Sequence, residues 1–231
     1  MAEGRQTVKV ALISADLGGL RGNLSPRYAP QELPQGWSLD SFFFDETNFP
    51  LRPSLSPRLQ AKIPKMLGYE LAPGYDFYIW IDSSFVVVDP GAVRWFVESC
   101  AGCDIAVFRH PERGSIRQEA EYIRQAVAEG NRYLASRYLG EPLDEQVRLY
   151  LADPQFRDLS LFSLGAFVYR AEMLADPRRN LMPLWFYHNA RYSIQDQLSF
   201  PYLAYLMRER GLRVGLLDGG IYDNGYLAFC G

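Results

Sequence analysis

The sequence predicts a single α/β domain built on a central mixed, mostly parallel sheet flanked by helices. Three observations predict it. Strand-like and helix-like segments alternate along the whole length, and no linker, repeat or low-complexity tract divides them. Hydrophobic residues make up 48% of the 231, ample for one sizeable core. The run from Phe77 to Val88 is β-branched and aromatic, the strongest strand signal in the chain.

In chain order, Val8-Lys-Val-Ala-Leu-Ile-Ser14 reads as a buried first strand and Ser41-Phe-Phe-Phe-Asp45 as a second. Pro26, Pro30 and Pro34 between them predict an irregular loop rather than a crossover helix. From Ser56 to Leu67, the residues Leu59, Ile63, Met66 and Leu67 fall on one helical face. The run from Phe77 breaks at Asp82-Ser83-Ser84, which predicts two strands meeting at a functional corner. Asp89-Pro90 opens a helix, with the proline in the first turn where its missing N–H costs nothing. Asp104 to Phe108 is a short strand, and Ser115 with Gln118 forms a capping box ahead of an amphipathic helix. Helical patterns fill 130 to 152, Ser160 to Arg170 is strand-like around Gly165, and an aromatic segment runs from Leu184 to Tyr192. A helix over 194 to 210, a strand from Leu212 to Leu217 and a glycine-rich tail complete the chain. Pro201 predicts that the last helix is kinked or starts after Ile194.

Composition removes several function classes. With 24 basic and 27 acidic residues, the net charge of -3 supplies no global field for nucleic acid or anionic lipid, although a local basic groove stays open. Aromatic residues at 14% are too many for a disordered chain and enough to line a pocket or a carbohydrate platform. Val8 to Ser14 is too brief for a secretory signal and no apolar stretch is long enough to span a bilayer. Three cysteines, an odd number, fit reduced thiols, so a cytoplasmic location is expected. Cys100-Ala-Gly-Cys103 lacks the second pair of a zinc site and sits where a helix ends, which reads as packing thiols. Leu17-Gly18-Gly19-Leu20-Arg21-Gly22 is not a dinucleotide fingerprint, and Walker A, GxSxG and HExxH motifs are absent. His110 and His188 are the only histidines, which excludes a three-histidine metal site.

Three constellations remain. Asp82 ends a run as apolar as Phe77 to Ile81, where an unpartnered carboxylate would be costly, so it either holds a cation against diphosphate oxygens or caps the following turn. Arg58 and Lys62, one helical turn apart, and the cluster Arg109-His110-Pro111-Glu112-Arg113 offer cations to phosphate or carboxylate, or a solvated surface. Lysine is scarce, with only Lys9, Lys62 and Lys65, so one facing a cleft is informative. Ser193 and Asp196 match a capping box; Asp196 then serves the helix dipole, or else stands in a cleft as a base or sugar-orienting group. Trp185, Phe186, Tyr187 and Tyr192 line an acceptor site or pack in the core.

Four segments in this order carry a resemblance: Ser56-Pro-Arg-Leu-Gln-Ala-Lys62, Tyr78-Ile-Trp-Ile-Asp82, Phe108-Arg-His-Pro-Glu-Arg113 followed by Glu119, and Gln195-Asp-Gln-Leu-Ser-Phe-Pro-Tyr202. Together they resemble the glycosyltransferase-like family typified by plant proteins of turgor regulation and seed mucilage, itself similar to nucleotide-sugar transferases of the GT-A fold. The resemblance implies one glycosyltransferase-like domain over residues 1–231 that moves a sugar from a nucleoside diphosphate sugar to a hydroxyl acceptor, a saccharide or small molecule. It places Asp82 at the first Asp of the DxD element that holds Mn²⁺ or Mg²⁺. The position two residues on is Ser84, whose hydroxyl could hold a metal-bound water. By the same resemblance Arg58 and Lys62 lie near the nucleotide or its phosphates, Arg109, His110 and Arg113 line the donor cleft, and Asp196 sits near the transferred sugar. Ser14, Ala15 and Asp16 become base or ribose contacts. A nucleotidyltransferase, a sugar-nucleotide hydrolase and a non-catalytic nucleotide- or carbohydrate-binding module are the alternatives.

Overall fold

The computed structural model describes residues 7–19 and 28–230. Strand β1, Val8–Ala15, is buried from Val10 onward, as a parallel strand covered on both faces must be. Beside it lies β2, Trp37–Phe44, half exposed at the sheet edge and begun four residues earlier than Ser41 because it follows β1 in register from Val8↔Trp37. The described part of the connection is irregular, as Pro30 and Pro34 require; Pro26 and residues 20–22 lie outside the described residues.

Helix α1, Pro57–Leu71, is capped by Ser56 Oγ, which accepts from the Leu59 N–H at 3.2 Å, and it carries Pro57 in its first turn. Its buried face departs from the expected one. Leu59, Ile63 and Leu67 are only half-buried, while Gln60, Pro64, Lys65, Met66 and Gly68 are buried. The polar members are matched by polar partners, beginning with the Gln60 amide, which bonds Arg52 N–H, Arg52 C=O and Leu55 C=O.

The remaining elements follow in order. They are β3 (Phe77–Ile81), β4 (Phe85–Val87), α2 (Ala92–Ser99), β5 (Ile105–Arg109), α3 (Ile116–Ala128), α4 (Arg132–Tyr138), α5 (Leu143–Leu151), β6 (Phe162–Arg170), α6 (Met182–Arg191), α7 (Asp196–Glu209), β7 (Val214–Leu216) and β8 (Leu227–Phe229). The main sheet has the order β2-β1-β3-β6-β5-β7, and only β6 runs antiparallel to its neighbours. Strands β4 and β8 form a separate antiparallel pair. The glycine-rich tail thus contains a strand that its short, punctuated sequence did not announce.

Alternation along β3 divides the core in two. Tyr78 and Trp80 point into a layer with Met66, Trp185, Phe200 and Met207, contributed by α1, α6 and α7. Ile79 and Ile81 point to the opposite layer, with Phe85, Phe96 and Phe108. A third cluster packs α3, α5 and α7 around Ile116, Ile123, Tyr150 and Leu198. The corner expected at Asp82-Ser83-Ser84 forms, because β4 leaves the main sheet and crosses over β6. A Cβ on Gly165 would lie 2.7 Å from Phe85 Cε2 and 2.8 Å from Ile221 Cδ1, so only glycine admits this approach.

One helix start and one helix cap differ from expectation. Helix α2 begins at Ala92, after Asp89 has folded its carboxylate onto the Gly91 N–H at 2.7 Å, so Pro90 sits in the preceding turn. Helix α7 begins at Asp196 with Pro201 inside it, and Ser193 does not cap it: its hydroxyl donates to Gln146 Oε1 at 2.6 Å. Elsewhere Ser115 Oγ caps α3 by accepting from Gln118 N–H, while the returning Gln118 oxygen takes the Gly114 N–H. Cys100 and Cys103 are buried where α2 ends, their sulfurs 3.5 Å apart, as packing thiols should be.

Candidate active site

The face of α1 that carries Lys62 and Lys65 meets the carboxyl end of β3. Asp82 follows β3 directly, its N–H held by Gly165 C=O at 2.7 Å. One carboxylate oxygen, Oδ1, accepts from the Trp80 indole N–H at 2.6 Å and from Lys65 Nζ at 3.0 Å. The Lys65 ammonium stands 5.5 Å from the Trp80 ring centroid. It also reaches Asp196 Oδ2 at 2.8 Å, and the same oxygen takes Lys62 Nζ at 2.6 Å. Two lysines from α1, the end of β3 and the first residue of α7 therefore share one alternating cluster of charges. Its lysines are three residues apart, which places them on one helical face.

Electrostatics in this cluster follow from geometry. Burial opposes ionisation of Asp196, but two ammonium groups outweigh it and hold the carboxyl well below the usual carboxylate range. Burial likewise opposes the charge on Lys65, yet Asp196 and Asp82 together raise its pKa. For Lys62 burial prevails over the single carboxylate it touches, with Lys65 adding repulsion, and its pKa falls. An Asp so firmly ionised is a poor proton acceptor near neutrality, which disfavours the base role expected for Asp196. Asp196 does stand in the first turn of α7, as the helix-dipole reading expected, while its side chain engages the two lysines.

A second chain of contacts adjoins the first. Gln195 Nε2 donates to Glu119 Oε1 at 2.7 Å, and Glu119 Oε2 pairs with Arg113 Nε at 2.5 Å. Arg113 also reaches Glu112, stacks over the Tyr122 ring, and lies 3.2 Å from His110 Nε2. His110 Nδ1 accepts the N–H groups of Glu112 and Arg113, while burial and then the neighbouring guanidinium lower its pKa. His110 and Arg113 thus have structural partners beside the cleft. Arg109 is exposed at the end of β5 and forms no ion pair among the described residues. Ser14, Ala15 and Asp16 are buried at the end of β1. Trp185 is wholly buried, with its indole N–H on Ser199, which places it in the core; Tyr187 is exposed.

The donor set does not fit the expected dication. Hard cations need several oxygens without competing positive charge. Asp82 Oδ1 already serves an ammonium and an indole N–H, and Asp196 serves two ammoniums. Among the described residues no group of three His, Cys, Asp or Glu could hold a metal ion. Ser84 offers its backbone C=O to Cys230 N–H at 2.8 Å, which ties the corner to β8. Sequence reasoning missed Lys65, although its scarcity and its spacing from Lys62 were visible. A surface concavity of about 460 Å³ lies elsewhere, between α3 and the α4–α5 connection, and holds none of these groups.

Fold and cluster define an α/β protein whose buried charge cluster lies at the carboxyl end of the parallel strand β3. The chain belongs to the TOD1/MUCI70, glycosyltransferase-like domain family, whose family model matches residues 51–219. All four resembling segments lie inside that span. Mouse xyloside xylosyltransferase 1, in its apo form, is similar in structure, with a TM-score of 0.48 and 13% identity over 91% of this chain and 86% of that one. A197 from STIV gives a TM-score of 0.35 and 11% identity over 97% and 95%. No curated protein matches the sequence significantly. Among the described residues no helix is long and apolar enough to cross a membrane.

Proposed function

We propose that this cleft transfers a sugar from a nucleoside diphosphate sugar to a hydroxyl acceptor. Membership of a glycosyltransferase-like family supports a transferase of this general kind. The observation that carries the finer reading is Lys65, an ammonium buried between Asp82 and Asp196 at the end of β3. Departure of a diphosphate develops negative charge, and a fixed cation in a dry cleft stabilises it without reorganising at the moment of reaction. Lys62, held at 2.6 Å by Asp196, is the cation nearest the open side, its side chain 14% exposed. Asp196 then positions both lysines, and Asp82 orients Lys65. In this reading the lysines stand where the family-like motif would place Mn²⁺ or Mg²⁺. A calorimetric panel of nucleoside diphosphates and their sugars, run in EDTA and in Mn²⁺, tests it together with acceptor-stimulated turnover. Selective binding in EDTA and its loss in Lys62→Met are expected. Strict dependence on Mn²⁺ would refute the lysine role, and donor hydrolysis indifferent to any acceptor would favour a hydrolase.

A further inference from the structure

Among the described residues, one contacting pair of aromatic rings has both members more than half exposed: Tyr222 at 63% and Phe229 at 54%. Their centroids are 5.6 Å apart and their planes stand at 85°. Both rings also meet Phe85, at 5.8 and 5.4 Å, and Phe85 is buried under them. One buried ring thus anchors two exposed ones, and a contiguous aromatic patch left in water marks a surface with a ligand.

Hydrogen bonds hold both rings before any ligand arrives. Phe229 belongs to β8 and stands opposite Phe85 of β4 in the strand pair. Tyr222 stands in a turn whose polar side chains are spent on its own backbone. There Asp223 Oδ1 accepts the Gly220 N–H at 2.7 Å, Asn224 Nδ2 donates to the Gly220 and Ile221 carbonyls, and Asn224 Oδ1 accepts the Tyr226 and Leu227 N–H groups. Rings fixed in this way lose little freedom on binding.

The patch adjoins the charge cluster through the main chain. The Phe85 N–H donates to the Asp82 C=O at 2.9 Å, so the anchoring ring and the carboxylate share one turn. Asp82 spends Oδ1 on Lys65 and Trp80, while its Oδ2 accepts no hydrogen bond among the described residues and its side chain is 38% exposed. A ligand here meets flat apolar rings and, within the same turn of chain, a carboxylate oxygen still able to take an O–H. A pyranose offers both, with C–H groups on its ring faces and hydroxyls around its rim. Where the ring hydroxyls are all equatorial, each face presents C–H groups alone. An apolar peptide or a second copy of the patch would leave the carboxylate oxygen without a donor.

We propose that Tyr222 and Phe229 form the stacking platform of an acceptor subsite beside the Asp82 corner, one that takes a pyranose with equatorial ring hydroxyls. The choice of a saccharide rests on the transfer reading given above; the platform itself rests on the exposed, anchored ring pair.

Saturation-transfer NMR of the full chain with cellotetraose and xylotetraose, and with no donor present, tests the platform. Both sugars are expected to bind with saturation reaching their axial C–H protons. Tyr222→Leu and Phe229→Leu keep apolar bulk but remove a flat face, and each is expected to weaken binding about three- to tenfold, the scale of one aromatic contact. Tyr187→Leu, exposed on α6 in the segment first expected to line an acceptor site, is expected to keep full affinity. Tyr222 lies on the surface, so its variant should also keep the parent's melting temperature, whereas Phe229 touches the buried Phe85 and serves as the second reading. Failure of both sugars to bind the parent, full affinity in Tyr222→Leu, or a loss in Tyr187→Leu instead overturns the proposal. So does a joint loss of binding and melting temperature in Tyr222→Leu, which marks a ring that serves the fold. Concentration-dependent dimerisation that Tyr222→Leu abolishes would name a second copy as the occupant and overturn it too. Binding is read without donor or turnover, so the platform and the transfer reaction can fail separately.

Discussion

Replacing Asp196 by Asn removes one charge from the centre of four, and the structure says what that should cost. The carboxylate is 5% exposed and accepts two ammonium groups at 2.6 and 2.8 Å. Breaking a buried pair by deleting one partner typically costs about 3–5 kcal/mol, because the remaining charge is stranded. Lys62 can relax toward solvent and Lys65 retains Asp82, so the lower end, about 3 kcal/mol, is expected here. In a domain of this length that lowers the melting temperature by about 6–12 °C. The effect must also depend on pH. A carboxyl whose folded pKa lies below its unfolded value of 3.8 contributes stability that is fully present above that value and lost as pH falls through the folded one. Urea denaturation of parent and Asp196→Asn at pH 7 and below pH 4 should therefore show a large difference that shrinks in acid. A difference under about 0.5 kcal/mol at pH 7, the size of an exposed pair, would refute the cluster as the feature that fixes Asp196. The Asn variant will consequently lose turnover and stability together.

Two further outcomes are expected. Gly165→Ala forces a Cβ against Phe85 and Ile221, so it should cost about 1–3 kcal/mol in denaturant unfolding and weaken ligand binding at the Asp82 corner; a neutral result would contradict the close crossing of β4 over β6. Titration with a thiol reagent should find Cys230 reactive in the native protein and Cys100 with Cys103 reactive only after unfolding, and rapid native reaction of all three would contradict the packing at the end of α2.

Sequence pattern made the framework legible where one periodicity dominates. β1 and β3 are runs whose composition admits little besides buried strand, and Ser56-Pro57 signals a helix start that the structure keeps. Long-range pairing was illegible. Trp37 to Asp40 joins β2 because β1 runs beside it, and Leu227 to Phe229 is a strand only because β4 needs a partner. At the site, Asp82 and Lys62 stood out by chemistry. Lys65 did not, since the apolar spacing of α1 pointed its buried face elsewhere; polar burial is decided by partners on other elements.

The β4–β8 pairing also sets an order of events. Strand β3 pairs with β1 and β6 in the middle of the main sheet, whereas β4 must wait for Phe229 to return to Phe85. Closing so long a stretch of chain draws on entropy before any contact repays it. Asp82 lies at the junction of these two strands, and Ser84 beside it is tied to Cys230. The corner that carries the ligand chemistry is thus expected to acquire its shape after the sheet that supports it. In pulse-labelled hydrogen exchange, the amides of Val86 and Ala228 should gain protection later than those of Ile79 and Val168.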